Sequence, residues 1–177
     1  YYIPKVKEEA GKFVGKPIEV TLSMADEKQA NQTALLFKKG GASVMLAVDA
    51  LRITGNLGEI LENSLADADS MYHNDGKGVS LKYGYNEKQV LFNWWMALKA
   101  MDKELKNQNK FKEAKVVSII VKKAIETSYN YYKIVPQKIS ERFGIVIFSL
   151  VFYVVYTLWY GFAILFMFEG WGLRLEH

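Results

Sequence analysis

One stretch of 25 residues, Gly144 to Phe168, contains no charged side chain and constrains this chain more than any other feature. A helix rises about 1.5 Å per residue, so the stretch would span roughly 37 Å, against a bilayer hydrocarbon core of about 30 Å. Arg142 and Glu169 bound the apolar run. It predicts a transmembrane helix over 144–168. The alternative, a fully buried core helix, would need a larger protein around it.

The rest of the chain has the composition of a soluble domain. Residues 1–143 carry almost all of the charge, so the mean hydropathy of −0.03 averages a polar domain and an apolar anchor. The net charge of +4 is modest, and lysines alternate with glutamates as on an ordinary solvated surface. Lys133, Lys138 and Arg142 can also attract anionic lipid headgroups. Nucleic-acid binding is not expected, because no basic run or aromatic–basic motif stands out.

The ends of the chain and its lack of cysteine add three expectations. Without cysteine there can be no disulfide, thiolate catalysis or cysteine-ligated cluster. Because the sequence starts at Tyr1 rather than methionine, we expect that an upstream segment was removed, left disordered or never cloned, and a cleaved signal peptide or an earlier membrane helix would both fit. In the tail 169–177, the last three residues, Leu175 to His177, match the start of a vector-encoded polyhistidine tag and are left out of the functional argument.

The first third of the soluble part gives a mixed pattern. The structure of residues 1–24 is uncertain: a short helix over Lys5–Val14 can precede the break at Gly15-Lys16-Pro17, and Ile18–Leu22 is β-branched enough to be extended. From Ala25 the spacing of apolar or small residues alternates between four and three, which predicts one helix face. That face comprises Ala30, Ala34, Phe37, Gly41, Val44, Val48, Leu51 and Gly55. Gly40-Gly41 costs about 1 kcal/mol per glycine in a helix and suggests a break or a close helix contact.

Three further stretches show the same helical spacing. One carries Leu57, Leu61, Ser64, Ala68 and Met71; the next starts near Asn86 and carries Leu91, Trp94, Leu98, Met101 and Leu105; the last carries Ala114, Val117, Val121, Ala124, Ser128, Tyr131 and Val135. Residues 79–85 read as a short, extended linker. The predicted fold is therefore all-α: an antiparallel four-helix bundle over 25–135, a juxtamembrane linker over 136–143 and one C-terminal transmembrane helix.

The sequence gives little support for a catalytic, metal-binding or haem-binding motif. His73 lacks the Glu-x-x-His context of a di-metal bundle, and the acidic segment Asp67–Gly76 departs from a calcium loop at Met71 and Tyr72. His73 with a methionine can in principle ligate haem, but a lone histidine in a turn is usually a surface residue. Trp94-Trp95 at helical spacing is more often core than a ligand cage. We therefore expect no catalytic residues, metal or cofactor.

The predicted membrane helix carries the more specific signal. Ser149, Tyr153, Tyr156 and Tyr160 recur at steps of four, three and four and share one face. Tyrosine hydroxyls deep in hydrocarbon need partners, because an unpaired polar group there costs a few kcal/mol. Thr157 and Gly161 add a small-xxx-small pair. This face, which we call the intramembrane partner face, is predicted to pack on another membrane helix or to line a cofactor or quinone pocket shared with one. The alternative is a lone anchor with snorkelling tyrosines.

These features lead to a functional hypothesis. The chain is predicted to be a non-catalytic, membrane-anchored subunit that docks or scaffolds partners in a larger membrane complex. Its partners would be other integral membrane subunits or a second copy, together with the lipid bilayer. A sensory or receptor domain is the first alternative and a cofactor-binding redox subunit the second. The positive-inside rule favours a cytoplasmic domain, but a removed signal peptide would reverse it, so the side stays open.

Overall fold

The computed structural model describes residues 2–47, 50–135 and 139–172, and the chain divides into two units, Tyr1–Lys133 and Ile134–His177. The first unit is mostly helical and contains a small three-stranded sheet. Its helices are α1 (Ile3–Gly11), α2 (Glu27–Lys39), α3 (Leu57–Tyr72), α4 (Gly76–Tyr83), α5 (Glu87–Asn107), α6 (Phe111–Ile120) and α7 (Glu126–Tyr131). A π-helical turn, Val121–Ile125, joins α6 to α7, so residues 111–131 form one continuous helical rod.

The sheet is antiparallel and consists of β1 (Pro17–Ser23), β2 (Ser43–Ala47) and β3 (Ala50–Asn56) in the order β1-β3-β2. Ile53 of the central strand lies opposite both Val20 and Val44. Because β3 is antiparallel to both neighbours, β1 and β2 run parallel, and α2 makes the crossover between them. Buried and exposed residues alternate along β1 and β3, so one sheet face packs on the helices.

The sheet corrects the prediction of an all-α bundle over 25–135. The stretch predicted as one helix ends at Lys39, and Gly41 adopts a left-handed φ of 79° that turns the chain into β2. In β3, Leu51 and Ile53 are buried while Arg52 and Thr54 are exposed, which is strand periodicity. Over a short stretch, apolar residues spaced three and four apart can also fit the two-residue repeat of a strand. Here the pairing of β3 with β1 and β2 makes the stretch a strand. Val48 of the predicted face lies outside the described residues.

The other three helical faces largely agree with the prediction. Every apolar position predicted on α3 and α5 is buried, and Asn86 caps α5 by accepting hydrogen bonds from the amides of Lys88 and Gln89. On the α6–α7 rod the predicted face is buried through Ser128. Tyr131 and Val135 are exposed instead, and Tyr132 is the buried residue.

The predicted linker over 79–85 is wrong, because residues 76–83 form α4. The Asp75 carboxylate caps the helix by accepting from the amide of Gly78, and Gly84 ends it with a φ of 76°. Near the N-terminus, the extended stretch predicted over Ile18–Leu22 is found as β1, and a short helix, α1, precedes it.

The second unit contains one long helix, α8 (Phe143–Gly170), preceded by a 3-10 turn over Ile139–Arg142. None of its described residues is buried. Residues Ser140–Gly170, whose most apolar 18-residue window has a mean hydropathy of 2.0, form one candidate membrane span within the described chain. Parts of the predicted linker and tail, residues 136–138 and 173–177, lie outside the described residues.

Candidate functional site

The residues of the predicted intramembrane partner face all lie on α8. Successive helical residues are about 100° apart, so Ser149, Tyr153, Tyr156 and Tyr160 fall within roughly 60° of one another around the helix. All three tyrosines are exposed, and the rings of Tyr156 and Tyr160 stack at a centroid distance of 6.4 Å. The helix therefore presents a row of phenol groups along one side.

Thr157 and Gly161 lie on a neighbouring strip, roughly a quarter turn away from the tyrosine row. Thr157 Oγ1 donates to the carbonyl oxygen of Tyr153 at 2.7 Å, so the hydroxyl is satisfied within its own helix. A Cβ built on Gly161 would meet nothing within 4 Å, so the backbone is open to close approach there. This strip can contribute packing, while the phenols of the row contribute the polar chemistry.

A second feature of α8 was missed in the sequence. Trp159, Phe162 and Phe166 surround Ala163 and form an open hollow of about 610 Å³ on another side of the helix. The i, i+3, i+4, i+7 spacing of these residues was the available signal. Because the whole run is apolar, that spacing does not distinguish a hollow from a uniformly apolar helix surface.

The first unit, Tyr1–Lys133, is the part of the chain predicted to be soluble, and we call it the soluble unit. It carries an exposed groove between α5 and the α6–α7 rod, which we call the seam. Its upper hollow, about 350 Å³, is lined by Phe92, Trp95, Ile125, Glu126, Tyr129 and Asn130. The Trp95 indole Nε1 donates to Glu126 Oε1 at 2.8 Å and so bridges the two helices. The π-helical turn ends at this hollow, and such turns frequently occur at functional sites.

The lower hollow of the seam, about 320 Å³, continues along the same two helices. It is lined by Asp102, Lys106, Phe111, Lys115, Ser118, Ile119, Lys122 and Lys123. On α5 the lining residues 92, 95, 102 and 106 follow helical spacing, and those on the rod do so from 111 to 130. The two hollows therefore lie one after the other along the same two helices, the upper one aromatic and the lower one basic.

Lysines surround the aromatic rings of the seam. Lys99 Nζ lies 4.2 Å from the centroid of the Trp95 ring, and Lys88 Nζ lies 5.9 Å from that of Tyr129. In the lower hollow, Asp102 is the one carboxylate among the described lining residues, and Lys106 pairs with it at 2.6 Å. The 28 residues from Lys99 to Glu126 carry a net charge of +4, equal to that of the whole chain.

The two adjacent tryptophans have different surroundings. Trp94 is fully buried and packs edge-on against Phe37, as predicted for core, whereas Trp95 lines the seam. Trp94 Nε1 donates to Asp67 Oδ2 at 2.8 Å, Tyr83 donates to the same oxygen at 2.6 Å, and Lys82 donates to Oδ1 at 2.7 Å. Asp67 is buried, so these bonds satisfy a carboxylate that would otherwise be costly in the core. The Asp67 cluster ties α3, α4 and α5 together.

Two tyrosines at this cluster have perturbed acidity. Burial, followed by the negative charge of Asp67, raises the pKa of Tyr83 far above its ordinary value of 10. Burial raises the pKa of Tyr85 to about 12, against the opposing hydrogen bond from Asn93. Both phenols therefore stay protonated at neutral pH and serve as structural donors.

The remaining sequence candidates lie at the end of α3. His73 Nδ1 lies 2.9 Å from the Asp69 carbonyl oxygen and 3.2 Å from Asp69 Oδ1. Asp69 also pairs with Lys7 at 2.7 Å, and Asp67 belongs to the buried cluster described above. The acids of the apparent calcium loop therefore point to different partners. Within residues 2–47, 50–135 and 139–172, no three metal-ligating side chains come together.

Comparisons with known proteins give no relative to build on. No protein-family model matches the chain, and neither a curated protein nor a solved structure does.

Proposed function

We propose that this chain is a non-catalytic, membrane-anchored subunit of a larger membrane protein complex. In this proposal α8 crosses the bilayer and packs on a neighbouring membrane helix through the tyrosine row, and the soluble unit docks or scaffolds partner proteins. The single observation that supports it most is the position of the three phenols near the middle of an otherwise apolar helix, which would set their depth in a bilayer.

The depth follows from helix geometry. Tyr156 is the central residue of the uncharged run 144–168, and Tyr153 and Tyr160 lie about 4.5 and 6 Å from it along the axis. Each interface is about 15 Å from the centre of a 30 Å hydrocarbon core. Because a tyrosine side chain is much shorter than 15 Å, the hydroxyl of Tyr156 cannot snorkel to water. A partner helix that accepts or donates hydrogen bonds would relieve this cost.

The sensory alternative is less well supported by the local backbone. Passing a helix shift into a membrane span is simplest through a continuous helix. Here α7 ends at Tyr131, and Lys133 has a left-handed φ of 65°. The redox alternative rests on His73, whose ring nitrogen contacts Asp69 at the exposed end of α3.

The test combines extraction with partner capture. Alkaline carbonate washing of native membranes should leave the chain in the pellet, as expected for an integral protein. Mild-detergent pull-down of the wild type should then recover partner chains, or a second copy. Replacing Tyr153, Tyr156 and Tyr160 with phenylalanine should weaken the association. Interhelical hydrogen bonds contribute about 0.6 kcal/mol on average and up to roughly 1.7, so three could total about 2 kcal/mol, near a 30-fold change in affinity.

Thr157→Val is the matched control, because that hydroxyl is already bonded to the Tyr153 carbonyl and valine keeps the shape. It should leave partner recovery unchanged. A wild type that behaves as a detergent-bound monomer, with no partner in its native membrane, would refute the subunit proposal and leave a lone anchor.

A further inference from the structure

We infer that the seam between α5 and the α6–α7 rod is a membrane-docking surface that binds anionic lipid headgroups. This inference goes beyond the proposed function: it requires α8 to cross a bilayer but does not depend on which helix α8 contacts. The ligand is the phosphate- or carboxylate-bearing headgroup of an anionic lipid.

The first argument is the composition of the seam. Four lysines, Lys106, Lys115, Lys122 and Lys123, line the lower hollow, and the one described carboxylate there is paired with Lys106. The segment Lys99–Glu126 has a net charge of +4, so the remaining 149 residues are together neutral. The net positive charge of the chain thus lies on one helical hairpin, where the lysines can act together on an anionic surface.

The second argument is the exposed aromatic side chains among these lysines. Phe111 is 62% exposed at the start of α6, between Lys110 and Lys112. Phe92 and Tyr129, at the other end of the seam, are 39% and 41% exposed. Lysines and aromatic rings on one face are the combination that favours the headgroup region, because the charge binds lipid phosphate and the rings enter the acyl boundary.

The third argument is proximity. The nine residues 134–142 between Lys133 and α8 can extend at most about 30 Å. If α8 spans a bilayer, these residues tether the soluble unit within reach of the membrane surface and raise its effective concentration there, so weak contacts are enough for docking. Each lysine near an anionic surface changes the docking equilibrium by about fivefold, so three together give about 100-fold. Anionic lipids are enriched in the cytoplasmic leaflet, and the inference therefore places the soluble unit on the cytoplasmic side.

The absence of cysteine allows a clean test with the full chain. Ser118→Cys in the lower hollow carries a small fluorophore, and the protein is incorporated into nanodiscs of phosphatidylcholine alone or mixed with phosphatidylserine. A headgroup-attached spin label on phosphatidylcholine quenches the fluorophore when the seam docks. Quenching should be strong in phosphatidylserine discs, weak in phosphatidylcholine discs and reversed by 1 M salt, where the screening length is about 3 Å. Ser43→Cys on β2, away from the seam, should show little change.

Charge reversal gives the matched comparison. Lys106→Glu, Lys115→Glu and Lys122→Glu together should abolish the quenching at Ser118→Cys, and the corresponding glutamine triple should reduce it. Reversing Lys28, Lys38 and Lys39 on α2 changes the net charge equally and should leave the quenching intact. A chain missing from the disc fraction would refute the span itself, and with it the premise of this inference. Equal quenching of incorporated chains in both lipids would overturn the lipid assignment. It would also be overturned if only an acidic protein of the native membrane, and no lipid, covered the seam.

Discussion

The indole of Trp94 donates a hydrogen bond to the carboxylate of Asp67 at 2.8 Å, with both side chains buried between α3 and α5. A buried carboxylate is tolerated because Lys82, Tyr83 and Trp94 all bond to it, and Lys82 reaches partly to solvent. The Asp67 cluster therefore stabilises one specific arrangement of three helices. Apolar packing alone would not specify that arrangement, because it is not directional.

Removing the central acceptor should be costly. Asp67→Ala leaves the Trp94 N–H and the Tyr83 hydroxyl without their partner in the core, and we expect a loss of about 3–5 kcal/mol in the free energy of unfolding. Urea titration of the soluble unit, followed by tryptophan fluorescence with α8 held in detergent micelles, measures it. Asp69→Asn, which removes an exposed charge pair with Lys7, should cost less than about 1 kcal/mol. Equal losses would show that the Asp67 cluster contributes no more than a surface pair.

The same cluster predicts a loss of stability at alkaline pH. The pKa of Tyr83 lies far above its unfolded value of 10, and that of Tyr85 is about 12. Between about pH 10 and 12 the unfolded chain loses these protons while the folded chain keeps them. The contribution of these tyrosines to the free energy of unfolding is therefore fully present below pH 10. Above pH 10 the contribution falls by about 1.4 kcal/mol per pH unit and per tyrosine.

Urea titrations at several pH values between about 9 and 12 measure this slope. Tyr85→Phe removes one of the titrating groups and should make the decline shallower by about 1.4 kcal/mol per pH unit. The pKa of Tyr132 is also raised, to about 12, and its contribution stays in the variant. A decline equally steep in wild type and variant would mean that Tyr85 does not contribute.

Patterns that extend over several helical turns could be read from the sequence, and shorter patterns could not. The long apolar run was recognisable from its unbroken length, and the faces of α3 and α5 because each repeats helical spacing over at least four turns. Residues 43–56 were misjudged because β2 and β3 are short, and only their pairing distinguishes period two from a broken helix. The seam was not predictable, since it depends on two helices meeting side by side, with contacts such as that between Trp95 and Glu126, which are 31 positions apart. The Asp67 cluster joins residues 15 and 27 positions apart, and no local pattern indicates such a contact.

Packing between α5 and the α6–α7 rod gives a third prediction. Leu98 and Val117 are both fully buried, as expected from their positions on the two helical faces. Leu98→Ala should lower the free energy of unfolding by about 2–5 kcal/mol through lost transfer energy and a residual cavity. Lys103→Ala, exposed on the same helix, should cost less than about 0.5 kcal/mol in the same urea titration. A Leu98→Ala variant as stable as Lys103→Ala would mean that the helix phase is wrong.

The start of α3 provides the fourth prediction, because the loop after α1 lies directly on it. The Gly58 amide donates to the Phe13 carbonyl at 3.1 Å, and a Cβ at Gly58 would lie 2.4 Å from the Val14 nitrogen. Since the clashing atoms are backbone, a rotamer change cannot relieve them. Gly58→Ala should therefore destabilise the soluble unit by about 1–3 kcal/mol.

Gly11, at the end of α1, is the matched glycine. A Cβ there meets nothing within 4 Å, and its φ is not left-handed, so Gly11→Ala should raise the free energy of unfolding by about 0.4–1 kcal/mol by restricting the unfolded chain. Thermal and urea unfolding of the two variants should therefore shift in opposite directions from wild type. A Gly58→Ala protein that unfolds at or above the wild-type midpoint would show that the loop does not pack on α3 as described.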